Sequence, residues 1–133
     1  MKAAIIIDDT LPTGLLANTA ACITSGLIDL VDRDEFYGPA IEGSDVTFPA
    51  ITKTPLLILR QGKRSFDEII RRARENNVPF IPFTHEAQST AHYDEYVRRV
   101  EGKSLADLTI VGIGVIGDDA AVTKVAGDLP LLR

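Results

Sequence analysis

The first thirty residues constrain the fold most, because an uninterrupted apolar run leads through a short polar turn into a long helical pattern. Residues 3–7 contain no polar side chain, which is typical of a strand that is covered on both faces. Polar residues 8–10 follow, and Pro12 or Thr13 is suited to open a helix because proline is favoured in a first turn. The sequence therefore predicts a strand, a loop and a helix.

The first helix is predicted to run to about Val31 and to be hidden on both sides. A core-facing stripe follows the three-and-four spacing of a helix, and it consists of Leu16, Ala20, Ile23, Leu27 and Leu30. No charged residue lies between Asp9 and Asp29, so the opposite face is uncharged too. Charge depletion is typical of the centre of a protein interface. We therefore expect a homodimer, formed through this helix or through the middle segment, residues 32–54.

Strands and helices alternate in the rest of the chain. The middle segment has no periodicity apart from a short edge strand at 46–48, and Pro79 and Pro82 place the third main strand at or near a sheet edge. The predicted strands are 56–59, 78–83 and 108–115, and the predicted helices are 65–76, 92–101 and 118–126. This alternation predicts one domain, residues 1–133, with a three-layer α/β/α fold on a mixed sheet of four main strands.

Composition narrows the class of partner. The net charge is −5, and the basic residues cluster only at 63–74, so nucleic acid is a disfavoured partner. Cys22 is the single cysteine, which indicates a reducing compartment, and we expect a cytoplasmic protein. The first apolar run has five residues before Asp8, far fewer than the roughly 20 that span a bilayer, so no membrane partner is expected.

Three patterns could signal a cofactor, a metal or a nucleophile, and each has a simpler interpretation. Gly112, Gly114 and Gly117 match a dinucleotide-binding motif, but the chain ends before a second strand and its acidic residue could follow, so close helix packing on a strand is favoured. His85, Glu86, His92, Asp94 and Glu95 match no ligand spacing. Cys22 lies among apolar residues in a helix, which favours a core thiol. We therefore expect no metal and no cofactor.

The carboxyl ends of the first and third strands offer a better candidate site, since ligands of open α/β sheets gather at such ends. Here we predict three catalytic residues, His85, Thr90 and Asp9, with His85 as acid or base. We also predict four ligand-binding residues, which are Asn18, Thr13, Glu86 and Ser89. Free backbone donors at the helix start favour an anionic group. The alternative is that Thr10, Thr13 and Asp9 only cap the first helix.

Several motifs carry a resemblance to a known family. They are Leu11-x-x-Gly14 with Ala20-x-Cys22, Asn77-Val78-Pro79-Phe80, Thr109-Ile-Val-Gly-Ile-Gly114, Asp119, Val122, Val125-Ala-Gly127 and Leu129-Pro-Leu-Leu132. In this order the chain resembles the type 2 peptidyl-tRNA hydrolases. More closely, it looks like an uncharacterised bacterial family, a domain of unknown function, that shares the type 2 peptidyl-tRNA hydrolase-like fold.

The resemblance implies a fold and a possible hydrolase site. The aspartate of the hydrolases falls on His85 or Glu86, and their threonine falls near Ser89 or Thr90. Their lysines are replaced here by Pro12, Leu15 and Ala17, which leaves tRNA possible but disfavoured. Three functions therefore stay open: a small-ligand-binding protein or an enzyme of unassigned reaction, a peptidyl-tRNA or related ester hydrolase, and a non-enzymatic homo-oligomeric interaction protein.

Overall fold

A computed structural model describes all residues 1–133 and contains six strands and six helices. The strands are β1 (Lys2–Ile7), β2 (Ile41–Glu42), β3 (Thr47–Phe48), β4 (Leu56–Arg60), β5 (Phe80–Thr84) and β6 (Ile110–Gly117). The helices are α1 (Thr13–Leu27), α2 (Arg33–Phe36), α3 (Phe66–Glu75), α4 (His85–Gln88), α5 (Tyr93–Val100) and α6 (Asp119–Ala126). None of these helices combines the length and hydropathy that crossing a membrane requires.

The main sheet has four strands in the order β4-β1-β6-β5. β1 is parallel to β4, and β6 is antiparallel to both of its neighbours, β1 and β5. A mixed α/β sheet of four main strands is thus confirmed, and β5, with its two prolines, lies at the edge as predicted.

Two hydrophobic clusters lie on opposite faces of this sheet, because successive side chains of a strand point to opposite sides. Along β1, Ala3, Ile5 and Ile7 pack on the side that carries α1. Ala4 and Ile6 pack on the other side, which carries α3 and α6. Every residue of β1 after Lys2 is buried, which explains why the run is apolar throughout.

The glycines of β6 permit close approach of α1. A Cβ added to Gly112 would lie 2.6 Å from Thr19 Cγ2, and one added to Gly114 would overlap Ile23. The interpretation of the glycine pattern as tight helix packing on a strand is therefore confirmed.

The middle segment departs from the prediction in its pairing. The strand expected at 46–48 is present as β3, but it pairs with β2 in a separate two-stranded sheet. Residues 38–51 form this hairpin arm, whose base is closed by the backbone N–H of Gly38 donating to Ile51 O at 3.1 Å. Apolar side chains of the arm are largely exposed, among them Ile41 at 65% and Ile51 at 76%.

The helices differ from the prediction in three respects. α1 ends at Leu27 and continues as a 3-10 turn, Ile28–Leu30. Residues 65–68, Ser-Phe-Asp-Glu, match a capping box in the sequence. Ser65 Oγ does accept from Glu68 N at 3.1 Å, but the Glu68 carboxylate pairs with Arg72 instead of bonding back to Ser65 N. α4 was not predicted, because a helix of one turn has too few residues to show periodicity.

Candidate functional site

The carboxyl ends of β1 and β5 lie at the same edge of the sheet. Ile7 and Phe83 both pair with Gly112 of β6, so the two strands end at the same level on either side of it. Two strand spacings separate them, about 10 Å. The predicted polar groups therefore share an edge, with the beginning of β6 between them.

Asp9 lies in the turn between β1 and α1, and Thr13 is the first residue of α1. The Asp9 carboxylate is 3.7 Å from Arg60 NH1, at the end of β4. Asp8 shapes the turn, because its Oδ1 accepts from Thr10 N at 3.0 Å and from Thr10 Oγ1 at 2.6 Å. Thr13 is exposed at the start of α1, which has no side-chain cap. The simple capping interpretation of these residues is therefore wrong.

Two of the residues predicted around β5 hold α4 in place. The Glu86 carboxylate accepts from Thr109 N at 3.1 Å, and Ser89 Oγ accepts from Arg99 NH1 at 2.8 Å. These bonds join α4 to the start of β6 and to α5. The side chain of His85 is exposed, and its backbone N–H donates to the backbone oxygen of Thr109 at 2.8 Å.

A cleft of about 540 Å³ lies between α1, the edge strand β5 and residues 87–96. Asn18 and Thr90 are the predicted site residues that line it. Asp9, Thr13, His85, Glu86 and Ser89 do not line it. The structure thus brings two of the seven predicted residues into one cavity and leaves the acidic turn and His85 outside.

One wall of the cleft is made of small residues from α1, and its floor is made of apolar residues from β5. Cys22, Ser25 and Gly26 form the wall, while Ile81 and Phe83 form the floor. A Cβ on Gly26 would lie 2.9 Å from Ile81 Cδ1, so the helix approaches the edge strand closely.

Cys22 is exposed, which corrects the prediction of a core thiol. On a helix of 3.6 residues per turn, Cys22 points about 100° away from its neighbour Ile23. Ile23 is buried against the sheet, whereas Cys22 faces the cleft. The absence of charge on this face of α1 therefore does not mean that the face is covered.

Gln88 joins the end of α4 to α1. Its amide nitrogen donates to Thr19 Oγ1 at 2.9 Å, Leu15 O at 3.1 Å and Asn18 Oδ1 at 3.2 Å. Its Oε1 is buried and has no hydrogen-bond partner. Sequence reasoning missed Gln88, because nothing local distinguishes a glutamine that contacts a helix seventy residues away.

A second wall comes from α5 and the loop before it. The rings of Tyr93 and Tyr96 stack with centroids 5.5 Å apart and planes 18° from parallel, and His92 lines the cleft beside them. No residue of α5 is buried. Arg99 holds the helix by donating to Glu86 O at 3.0 Å as well as to Ser89.

The strongest charge interactions involve residues that do not line the cleft. A hydrogen bond from Arg72 lowers the pKa of Asp128 to about 2, and the same contact raises the pKa of Arg72. Hydrogen bonds from Arg98 and Arg99 lower the pKa of Glu95. None of the 15 residues lining the cleft is Asp, Glu, Lys or Arg. No group of three or more His, Cys, Asp or Glu side chains is placed to hold a metal ion.

The fold and this cleft define a mixed α/β domain with an uncharged cavity beside an edge strand. The chain belongs to the family described as "Protein of unknown function (DUF2000)", whose model matches residues 1–133. Among proteins of curated function, none matches the sequence.

The fold is similar to that of a solved structure. It is the protein of unknown function Atu0240 from Agrobacterium tumefaciens strain C58, with a TM-score of 0.86 and 19% sequence identity. The match covers 99% of this chain and 97% of the other. At that identity the likeness concerns the fold alone.

Proposed function

We propose that this protein binds a small organic ligand in the cleft between α1, β5 and α5. The observation that carries the proposal is the cavity of about 540 Å³, whose lining combines apolar residues with a few convergent polar groups. Small-molecule sites have this character, and their volumes run from about 300 to 1,000 Å³.

Three side chains are suited to orient the ligand. The Asn18 carbonyl oxygen is held by Gln88, while the Asn18 amide nitrogen has no protein partner and is free to donate. Thr90 Oγ1 accepts from His92 N at 3.2 Å, which fixes its position at the cavity. His92 supplies an imidazole, which can donate or accept a hydrogen bond and is suited to acid–base chemistry.

The predicted catalytic roles of His85 and Asp9 stay predictions. His85 is two residues from Phe83 and two from Ala87, both of which line the cleft. A substrate that extends past the end of β5 would meet His85 first, whereas Asp9 lies beyond the start of β6.

Chemical-shift mapping tests the proposal. We expect that a set of small organic fragments includes members that shift the amide signals of Asn18, Cys22 and Thr90. Asn18→Ala should weaken their binding, because it removes the free amide donor, and Thr13→Ala, on the same helix but outside the cleft, should not. Shifts confined to other surfaces, or equal effects of both variants, would remove the cleft as the binding site.

An ester hydrolase of the type 2 peptidyl-tRNA hydrolase-like class is the alternative function. It is supported by the family resemblance and by the placement of Asp9 and His85 at one sheet edge. This alternative predicts cleavage of peptidyl-tRNA that weakens with rising salt and is lost in His85→Ala. Absence of cleavage at high enzyme concentration would eliminate it.

Assembly into a homo-oligomer is a further candidate function, and it is compatible with ligand binding in the cleft. It is supported by the exposed apolar side chains of the hairpin arm and by the uncharged outer face of α1, where Ala17 and Ala21 are exposed. In a symmetric dimer, the arm of one protomer would cover the α1 face of its partner, and the reverse.

We also propose a cytoplasmic location. A single exposed thiol is suited to a reducing compartment, because outside it such a thiol tends to form intermolecular disulfides. Fluorescence microscopy of a tagged chain tests this proposal, and accumulation outside the cytoplasm would contradict it.

A further inference from the structure

The lining of the cleft has no charged residue, although 25% of the chain is charged. A charged ligand group would lose part of its hydration there without gaining an ion partner, which is unfavourable. The cavity therefore favours an uncharged ligand.

The α5 wall presents aromatic surface that the protein itself leaves uncovered. Tyr93 is 78% exposed and stacks on Tyr96 at the cleft. Aromatic rings prefer offset stacking with centroids about 4.5–7 Å apart. A flat ring placed against the two tyrosines would extend the stack and cover the exposed face of α5.

The opposite wall, formed by α1, has mostly small side chains. Cys22, Ser25 and Gly26 carry at most two side-chain heavy atoms each, so a flat ring can lie against α1. The floor, Ile81 and Phe83, is apolar. The cavity is thus bounded by a stacked aromatic pair on one side and by a shallow helix surface on the other.

We infer that the ligand is an uncharged, flat aromatic compound with a neutral hydrogen-bonding group such as an amide or a hydroxyl. Asn18, Thr90 and His92 would meet that group, since together they offer both donors and acceptors. The inference rests on the proposed function and specifies its ligand class.

A matched set of four compounds tests the inference. Benzamide is neutral and flat, benzoate and benzylammonium have similar size with opposite charges, and cyclohexanecarboxamide keeps the amide but not the flat ring. We expect benzamide to bind at the cleft about tenfold more tightly than each of the other three, measured by amide shifts of Cys22 and Gly26.

Variants separate stacking and charge from folding. Tyr96→Ala should weaken benzamide binding about tenfold, whereas Tyr96→Phe should retain it, because the phenyl ring still stacks. Phe48→Ala removes an exposed aromatic on the hairpin arm, outside the cleft, and should leave benzamide binding unchanged. Ser25→Lys should shift the preference toward benzoate, since it places a cation in the lining.

The outcomes distinguish this inference from the proposed function. If benzoate or benzylammonium binds the wild-type cleft as tightly as benzamide, the ligand is not selected for neutrality and the inference fails. If cyclohexanecarboxamide binds equally, the aromatic requirement fails. If none of the four shifts the cleft signals while other fragments do, the inference fails and the proposed function stands. Failure of every fragment at the cleft removes both.

Discussion

Gly112 and Gly114 set the distance between α1 and the sheet, because they leave room for Thr19, Ile23 and Leu27. This contact positions the helix whose other side forms a wall of the cleft. The two glycines therefore affect the position of the cleft wall, although they contact the sheet-facing side of α1.

Gly114→Ala should lower the free energy of unfolding by about 1–3 kcal/mol, because the added methyl group overlaps Ile23 in a packed core. Gly14→Ala is the matched control, since a Cβ at Gly14 meets nothing within 4 Å. It should be neutral or raise stability by up to about 1 kcal/mol through helix propensity. Urea denaturation measures both, and equal effects would contradict close packing at Gly114.

A second residue-scale interaction ties α3 to the end of α6. Arg72 NH1 lies 2.7 Å from Asp128 Oδ1 and donates to Val125 O at 3.1 Å, and Arg64 Nε lies 3.0 Å from Asp128 Oδ2. The Asp128 side chain is 41% exposed, so solvent screening keeps its contribution to about 1 kcal/mol or less.

This ion pair predicts a pH dependence. The pKa of Asp128 falls from 3.8 to about 2 on folding, so its stabilisation is present above pH 3.8 and is lost as pH falls to about 2. Asp128→Asn should therefore lower Tm at pH 7, and the difference from wild type should disappear near pH 2. Asp45 lies in the hairpin arm and has no ion pair, so Asp45→Asn should change neither Tm at pH 7 nor its dependence on pH. A constant difference across pH would contradict the assignment.

At the scale of elements, strongly patterned segments could be predicted and the site could not. The sequence predicts the buried run of β1, the edge position of β5 and the helical spacing of α5, because local sequence determines them. The cleft depends instead on α4, which has one turn, and on Gln88, which contacts α1. No pattern indicated that the apolar side of α5 would be only partly buried, since an amphipathic helix normally packs on the core.

The attachment of α5 yields an element-scale prediction. Arg99 joins this helix to Glu86 O and Ser89, and no residue of α5 is buried. Arg99→Ala should raise amide exchange within α5 by several-fold while exchange in β6 stays unchanged. Arg98→Ala, which removes a contact to Glu95 within the same helix, is the control. Equal protection of α5 in wild type and Arg99→Ala would contradict this role.

At the scale of the whole molecule, the domain has apolar surfaces that its own core does not use. The hairpin arm is the clearest, because an isolated two-stranded sheet is marginally stable without something to pack against. Ile41 and Phe48 are paired across it and share one face, while Glu42 and Thr47 share the other. The uncharged face of α1 was readable from sequence, but the arm was not, since pairing within residues 38–51 has no repeating signal.

A dimer predicts that Phe48→Asp or Ala21→Arg shifts the mass measured by light scattering toward the monomer. A charge at either position would have to be desolvated in the interface. Thr47→Ser, on the polar face of the arm, should leave the mass unchanged. A wild-type monomer at high protein concentration would refute the dimer.

The proposed ligand site can be tested most directly by the rate at which a thiol reagent modifies Cys22, the single cysteine of the chain, which lines the cleft. The measurement compares native protein alone with native protein saturated by the tightest-binding fragment. A ligand in the cleft should slow the modification in proportion to its occupancy. An unchanged rate at saturation would show that the fragment binds elsewhere, which would contradict the account.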